Sequence, residues 1–181
     1  MYHPTMSGNA AIRLAEWVLS ELREPPTHLK LQKLCFYAYG FGLAEGHGDA
    51  LGEVHFEAWP HGPVCRTVYD AFKQHGKDPI PPRSTVEAYP ERTTDTLRDV
   101  LSVYAQLSAW ELREQSHLEQ PWLSARDGQI DRAALERHFR GPHKAPAYLF
   151  SHGGGSLDGI PEGAPLEFET LRAMAIELGV H

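Results

Sequence analysis

The sequence predicts a mainly α fold with a small β element (α+β): a compact domain of about five helices over residues 1–140, and a Gly/Pro-rich extension over 141–181 that ends in a short helix. Three observations carry this. Apolar residues recur at helical spacing in stretch after stretch; one segment, EVHFEAW at 53–59, alternates with the period of a strand; and the composition turns to Gly and Pro after Gly141. With 181 residues and 41% hydrophobic content, the chain has material for a real core.

Taken in order, Asn9 is a good N-cap for a first helix whose Ile12, Ala15, Leu19 and Leu22 share a face, and Pro25-Pro26 ends it. Thr27 caps the next helix, HLKLQKLCFYAYGFGLAEG. Here Leu31, Leu34, Cys35 and Ala38 form one stripe and Leu29, Phe36 and Leu43 another, so it is predicted to be the central buried helix. Gly40 and Gly42 in this helix point either to a close backbone crossing or to fraying. The strand follows, with Val54, Phe56 and Ala58 on one face. Gly62 then allows an unusual backbone angle, and Pro63 starts a helix lined by Val64, Val68, Ala71 and Phe72, so FEAWPHGPVCRTVYDAF reads as an aromatic strand-to-helix corner. Residues 76–93 are a proline-rich connector. Leu97, Val100, Leu101, Tyr104 and Leu107 line another helix, Ser108 caps one carrying Trp110, Leu112 and Leu118, and Asp131 caps RAALERHF. Beyond Gly141, GGGS at 153–156 has linker composition, and the last helix carries the stripe Phe168, Leu171, Ala175 and Leu178. That stripe must be hidden against this domain or against another protein.

Charge and motif content narrow the function. A formal charge of −7 with scattered basic residues disfavours a nucleic-acid binder, which clusters Lys and Arg against phosphates. No run approaches the roughly 18 apolar residues of a membrane span, and the N-terminus lacks the pattern of a secretory signal, so a cytoplasmic protein is expected. Cys35 and Cys65 sit in apolar helical patterns and are expected to be buried, reduced thiols. There is no G-x-S-x-G elbow, phosphate-binding loop, CxxC or HExxH, and the nearest histidines, His138 and His143, are parted by a Gly-Pro that ends a helix. No catalytic residue, cofactor or metal ligand is therefore assigned. The Trp59 and Tyr69 rings have the burial payload of core residues, yet either could expose an edge as an interface anchor; the sequence leaves both readings open.

Three segments in order, THLKLQKLCFYAYGFGLA, FEAWPHGPVCRTVYDAFKQHG and LSAWELREQSHLEQPWLSAR, resemble the Panacea-domain (SocA-like) family of bacterial and phage antitoxins, from about residue 10 to about residue 140. Leu31, Gln32, Lys33 and Leu34 match its KLQKL helix. Ala58, Trp59, Gly62, Pro63 and Val64 match its AW..GPV corner, which here encloses His61; Tyr69 and Phe72 match the following helix, and Leu107, Ser108, Pro121 and Trp122 the late LS…PW segment. Cys35 and Phe36 stand where members commonly carry Leu and Tyr. The resemblance implies a non-catalytic antitoxin that neutralises a cognate protein toxin by direct contact and, as for some members, an adaptor that delivers the toxin to the ClpXP protease. Partner binding would then involve these motif residues; the extension carries no family motif, and its stripe with Phe168, Leu171 and Leu178 is a partner-facing candidate on its apolar pattern alone, beside the alternative of docking on this chain's own core. Two alternatives stand beside it: a DNA-binding autorepressor, whose best recognition helix around Arg132 and Arg137 also carries Glu136, and an unrecognised hydrolase.

Overall fold

The computed structural model describes residues 6–125, 128–151, 160–161 and 164–179; the GGGS segment lies outside them. Along the chain run α1 (Met6–Glu21), α2 (His28–Ala44), α3 (Gly48–Leu51), β1 (Glu57–Trp59), β2 (Gly62–Val64), α4 (Arg66–Phe72), α5 (Glu91–Tyr104), α6 (Ala109–Ser116), α7 (Gln120–Ala125), α8 (Arg132–Arg140), β3 (His143–Lys144), α9 (Tyr148–Ser151), β4 (Pro165–Leu166) and α10 (Phe168–Glu177). The fold is mainly α with two small two-stranded sheets among the described residues. There are more helices than the periodicity suggests because α3, α7 and α9 are single turns or little more, too short to show a period.

Helix α2 is the axis of the molecule. Every residue from Leu31 to Leu43 is buried, and α1, α5, α6 and α8 pack around it. Thr27 Oγ1 accepts the Lys30 N–H and closes its first turn. Of the two readings of its glycines, the crossing holds: a Cβ on Gly40 would sit 2.3 Å from the Phe139 ring of α8, and one on Gly42 would sit 2.5 Å from Leu51 Cδ1 of α3. Helix α1 begins at Met6 rather than after Asn9, because asparagine favours a cap without forbidding helix.

The corner is a hairpin. β1 and β2 pair antiparallel with Glu57 opposite Val64, Ala58 opposite Pro63 and Trp59 opposite Gly62, so Pro63 lies in a strand and α4 begins only after Cys65. A two-stranded ribbon has room for proline on its unpaired side. The alternation of the sequence is that of the structure: Val54, Phe56 and Ala58 are buried and His55 is exposed. The outer edge of β1 is covered by residues 128–130, with Ala58 N–H donating to Gly128 O at 2.9 Å and Ile130 N–H to Phe56 O at 2.8 Å.

Ser108 and Glu111 form a reciprocal capping box, but Trp110 and Leu118 are 59% and 49% exposed while Leu112 is buried, so the three do not share a face. The Asp131 carboxylate accepts the Ala134 N–H at 2.8 Å. In the extension, α10 packs on α5: Leu171 and Ala175 are buried in the common core, Phe168 stacks on Phe41 at 4.2 Å, Leu178 is partly buried against the core, and Arg172 pairs with Asp99 at 2.9 Å. The stripe is hidden against this chain's own helices. No described helix is long and apolar enough to cross a membrane.

Candidate functional site

The hairpin is strapped to α2 by two polar residues of the KLQKL segment, Gln32 and Lys33. Gln32 Oε1 accepts the Cys65 N–H at 2.8 Å while its Nε2 donates to Cys65 O at 3.1 Å, and Lys33 Nζ donates to Pro63 O at 2.9 Å. Leu31 and Leu34, on either side, are fully buried. Gly62 has φ +101°, and a Cβ there would lie 2.6 Å from Ser116 Oγ and 2.8 Å from Lys33 Cε. Only glycine fits the angle and the space. Lys33 is fully buried and has no carboxylate partner among the described ion pairs; burial, with a smaller push from Arg113, lowers its pKa to about 7.

The outward side of the hairpin is different. Gly62, Pro63 and Val64 are buried, whereas Trp59 and Tyr69 are half-exposed with ring centroids 5.0 Å apart, so the structure resolves the core-or-anchor alternative as an inner core and an outer aromatic rim. Arg66 holds Glu57 through two hydrogen bonds of 2.9 Å and lies over the Trp59 ring, whose Nε1–H donates to Glu57 Oε2 at 2.7 Å. Hydrogen bonds from Arg66, then Trp59, hold the Glu57 carboxyl below its ordinary range. The exposed His61 accepts from Arg113 Nε at 3.0 Å, and Arg113 also covers the exposed ring of Trp110. From α7, Trp122 donates to Trp59 O at 2.9 Å and stacks on His117 at 4.2 Å. Tyr69 stacks on His28, and Phe72 is wholly buried beneath. Thus Gln32, Lys33, Trp59, His61, Gly62, Pro63, Val64, Tyr69 and Trp122 come together in one region, while Phe168, Leu171 and Leu178 belong to the α5 side and do not join it.

Arg113 and Trp110, which extend the rim, carry no signal in the sequence: Trp110 and Leu112 stand two residues apart and cannot share a helix face, and only the tertiary placement decides that Leu112 is buried and Trp110 turned outward. Both cysteines are buried, free thiols; Cys35 lies in α2 and Cys65 at the N-cap of α4 rather than inside a helix, and burial raises the pKa of each.

A second polar cluster corrects the expectation that His138 and His143 diverge. Helix α8 does end at Arg140, but the following turn folds back into β3, leaving the two imidazole centroids 5.3 Å apart. His138 Nε2 lies 2.6 Å from Glu119 Oε2, Tyr37 O–H donates to Glu119 Oε1 at 2.9 Å, and His143 Nε2 meets Phe139 O at 3.1 Å. One donor atom from each of Glu119, His138 and His143 lies within 4.8 Å of the others, the spacing of groups able to share a cation. Tyr37 stacks on Tyr104 at 4.0 Å, and burial, with the Glu119 charge, raises both phenols well above their ordinary range. Away from both regions, a groove of about 680 Å³ runs between the end of α1 and α5, lined by charges of both signs that include Glu24, Lys30 and Arg98.

Compared with known proteins, residues 31–123, just over half the chain, match the family model described as antitoxin SocA-like, Panacea domain. No curated protein and no solved structure matches the chain significantly.

Proposed function

The chain belongs to the SocA-like antitoxin, Panacea-domain family, and from that membership we propose that it neutralises a cognate protein toxin by direct binding, without catalysis, through the outer rim of the β1–β2 hairpin. The observation that supports this most is that the matched segment, residues 31–123, contains both strands of the hairpin and the side chains that anchor it, Gln32, Lys33, Arg113 and Trp122, while residues 128–130 cover its edge from just beyond the match. A rigid hairpin presenting Trp59, Tyr69, Arg66 and the neighbouring Trp110 offers the aromatic and arginine anchors that dominate protein interfaces. A non-catalytic role is in keeping with the thiols, which are buried with raised pKa, and with Ser116, whose hydroxyl donates to Arg113 O instead of facing a base. Delivery of the bound toxin to ClpXP is the adaptor form of the same function. The autorepressor alternative draws little support, because on the weakly basic helix α8 Arg132 bonds to the Tyr39 hydroxyl and Arg140 pairs with Glu136. The test is co-expression with the product of a small adjacent gene that arrests growth when expressed alone. Growth restored by this chain, together with a purified stoichiometric complex, is the expected result; a chain that neither rescues nor binds that product overturns the reading.

A further inference from the structure

Glu119, His138 and His143 reach one another from three separate segments: the turn between α6 and α7, the last turn of α8, and β3. Their chemistry is that of a metal site, with two imidazoles and one carboxylate converging in a largely buried place. We propose that these three residues bind a single zinc ion that ties the family domain to the segment following it.

The groups surrounding the three donors are those a bound ion would need. The Nε2 of His143 faces the Phe139 carbonyl, so its hydrogen resides there and Nδ1 carries the lone pair. That Nδ1 is buried with no protein partner, on a side chain only 2% exposed, and an unpaired buried acceptor is costly unless something fills it. Tyr37 occupies one Glu119 oxygen as a hydrogen-bond donor, fixing the carboxylate and turning Oε2 toward His138. An imidazole whose far N–H meets a backbone carbonyl, beside a carboxylate held by a hydroxyl, is the outer-shell arrangement that orients zinc ligands. Two imidazoles with a carboxylate suit zinc better than the hard, all-oxygen cations, and three protein ligands leave a fourth position for water.

Distances permit the site. Tetrahedral zinc with bonds of about 2.1 Å sets donor atoms roughly 3.4 Å apart. The Glu119–His138 contact of 2.6 Å would open by roughly 0.8 Å and the other separations, none above 4.8 Å, would close by at most roughly 1.4 Å, both within reach of side-chain rotation at a helix end and on a two-residue strand. A hydrogen-bonded Glu119–His138 pair alone would leave the His143 nitrogen unaccounted for.

The test uses the full chain, stripped with a chelator, exchanged into chelator-free buffer and titrated with zinc chloride by calorimetry. One ion per chain is expected, with affinity at least about tenfold weaker in Glu119→Gln and in His143→Ala, and with a melting temperature that zinc raises in the parent chain alone. Zinc uptake that survives both substitutions unchanged marks adventitious binding by other histidines and overturns the proposal, as does no uptake by the parent chain. Should a variant fail to fold, X-ray absorption of the zinc-loaded parent decides: a first shell containing two imidazoles is expected, and one without them rejects the site.

Discussion

Lys33 is the residue whose chemistry most exceeds its surroundings: a buried ammonium held by one carbonyl, with a pKa drawn from 10.5 to about 7. In the unfolded chain it keeps its proton up to its ordinary pKa, so between pH 7 and about 10 the unfolded state binds more protons than the folded one, and stability rises with pH. Buried Cys35, whose raised pKa works in the opposite direction, begins to offset this above about pH 9. We therefore expect folding free energy to increase by about 2–3 kcal/mol from pH 7 to pH 9, and this slope to flatten in Lys33→Met. Urea titrations across that range check it, and an unchanged slope in the variant would assign the effect elsewhere. At Gly62, substitution by alanine imposes both a left-handed angle and contacts below 3 Å with Lys33 and Ser116. A loss of about 2–4 kcal/mol by chemical denaturation is expected, several times that of an exposed glycine.

Individual elements separate what the sequence discloses from what it conceals. Caps and periodicity are local, so Thr27, Ser108, Asp131 and the two-faced α2 are legible from neighbours within four residues. Local pattern makes the hairpin a strand entering a helix, because Pro63 is equally at home at a first helical turn and on a free strand edge, and only the pairing with β1 decides. His143 returning to His138 depends on β3 pairing with β4 more than twenty residues later, which no local pattern encodes. Trp59 is half-exposed, so Trp59→Ala should cost about 1–2 kcal/mol, less than the 3–5 of a fully buried tryptophan, while weakening toxin binding at least tenfold. Binding isotherms beside melting curves separate these effects, and intact affinity would place the interface elsewhere. Helix α10, docked on α5, should show strong amide protection at 168–177 in the free chain, with no further gain on toxin binding. Protection that appears only in the complex would return that helix to the interface.

At the scale of the whole molecule, the extension completes the core: Ala145, Leu149, Leu171, Met174 and Ala175 belong to the same buried cluster as α2 and α5. Ending the chain at Arg140 should therefore lower Tm by about 10 °C or more or prevent folding, even though the family match ends at residue 123. A calorimetric scan of the shortened chain measures this, and an unchanged Tm would mean that α1–α8 are self-sufficient. The hairpin carries a different consequence. Gln32, Lys33 and Trp122 grip it at the main-chain atoms of Cys65, Pro63 and Trp59, so these hydrogen bonds do not depend on the outward side chains at 57, 59, 61, 66 and 69. The platform can thus be re-lettered with its main-chain anchoring kept: another set of side chains at those five positions presents a different surface on the same hairpin, and gives up only peripheral contacts such as Tyr69 on His28 and His61 with Arg113.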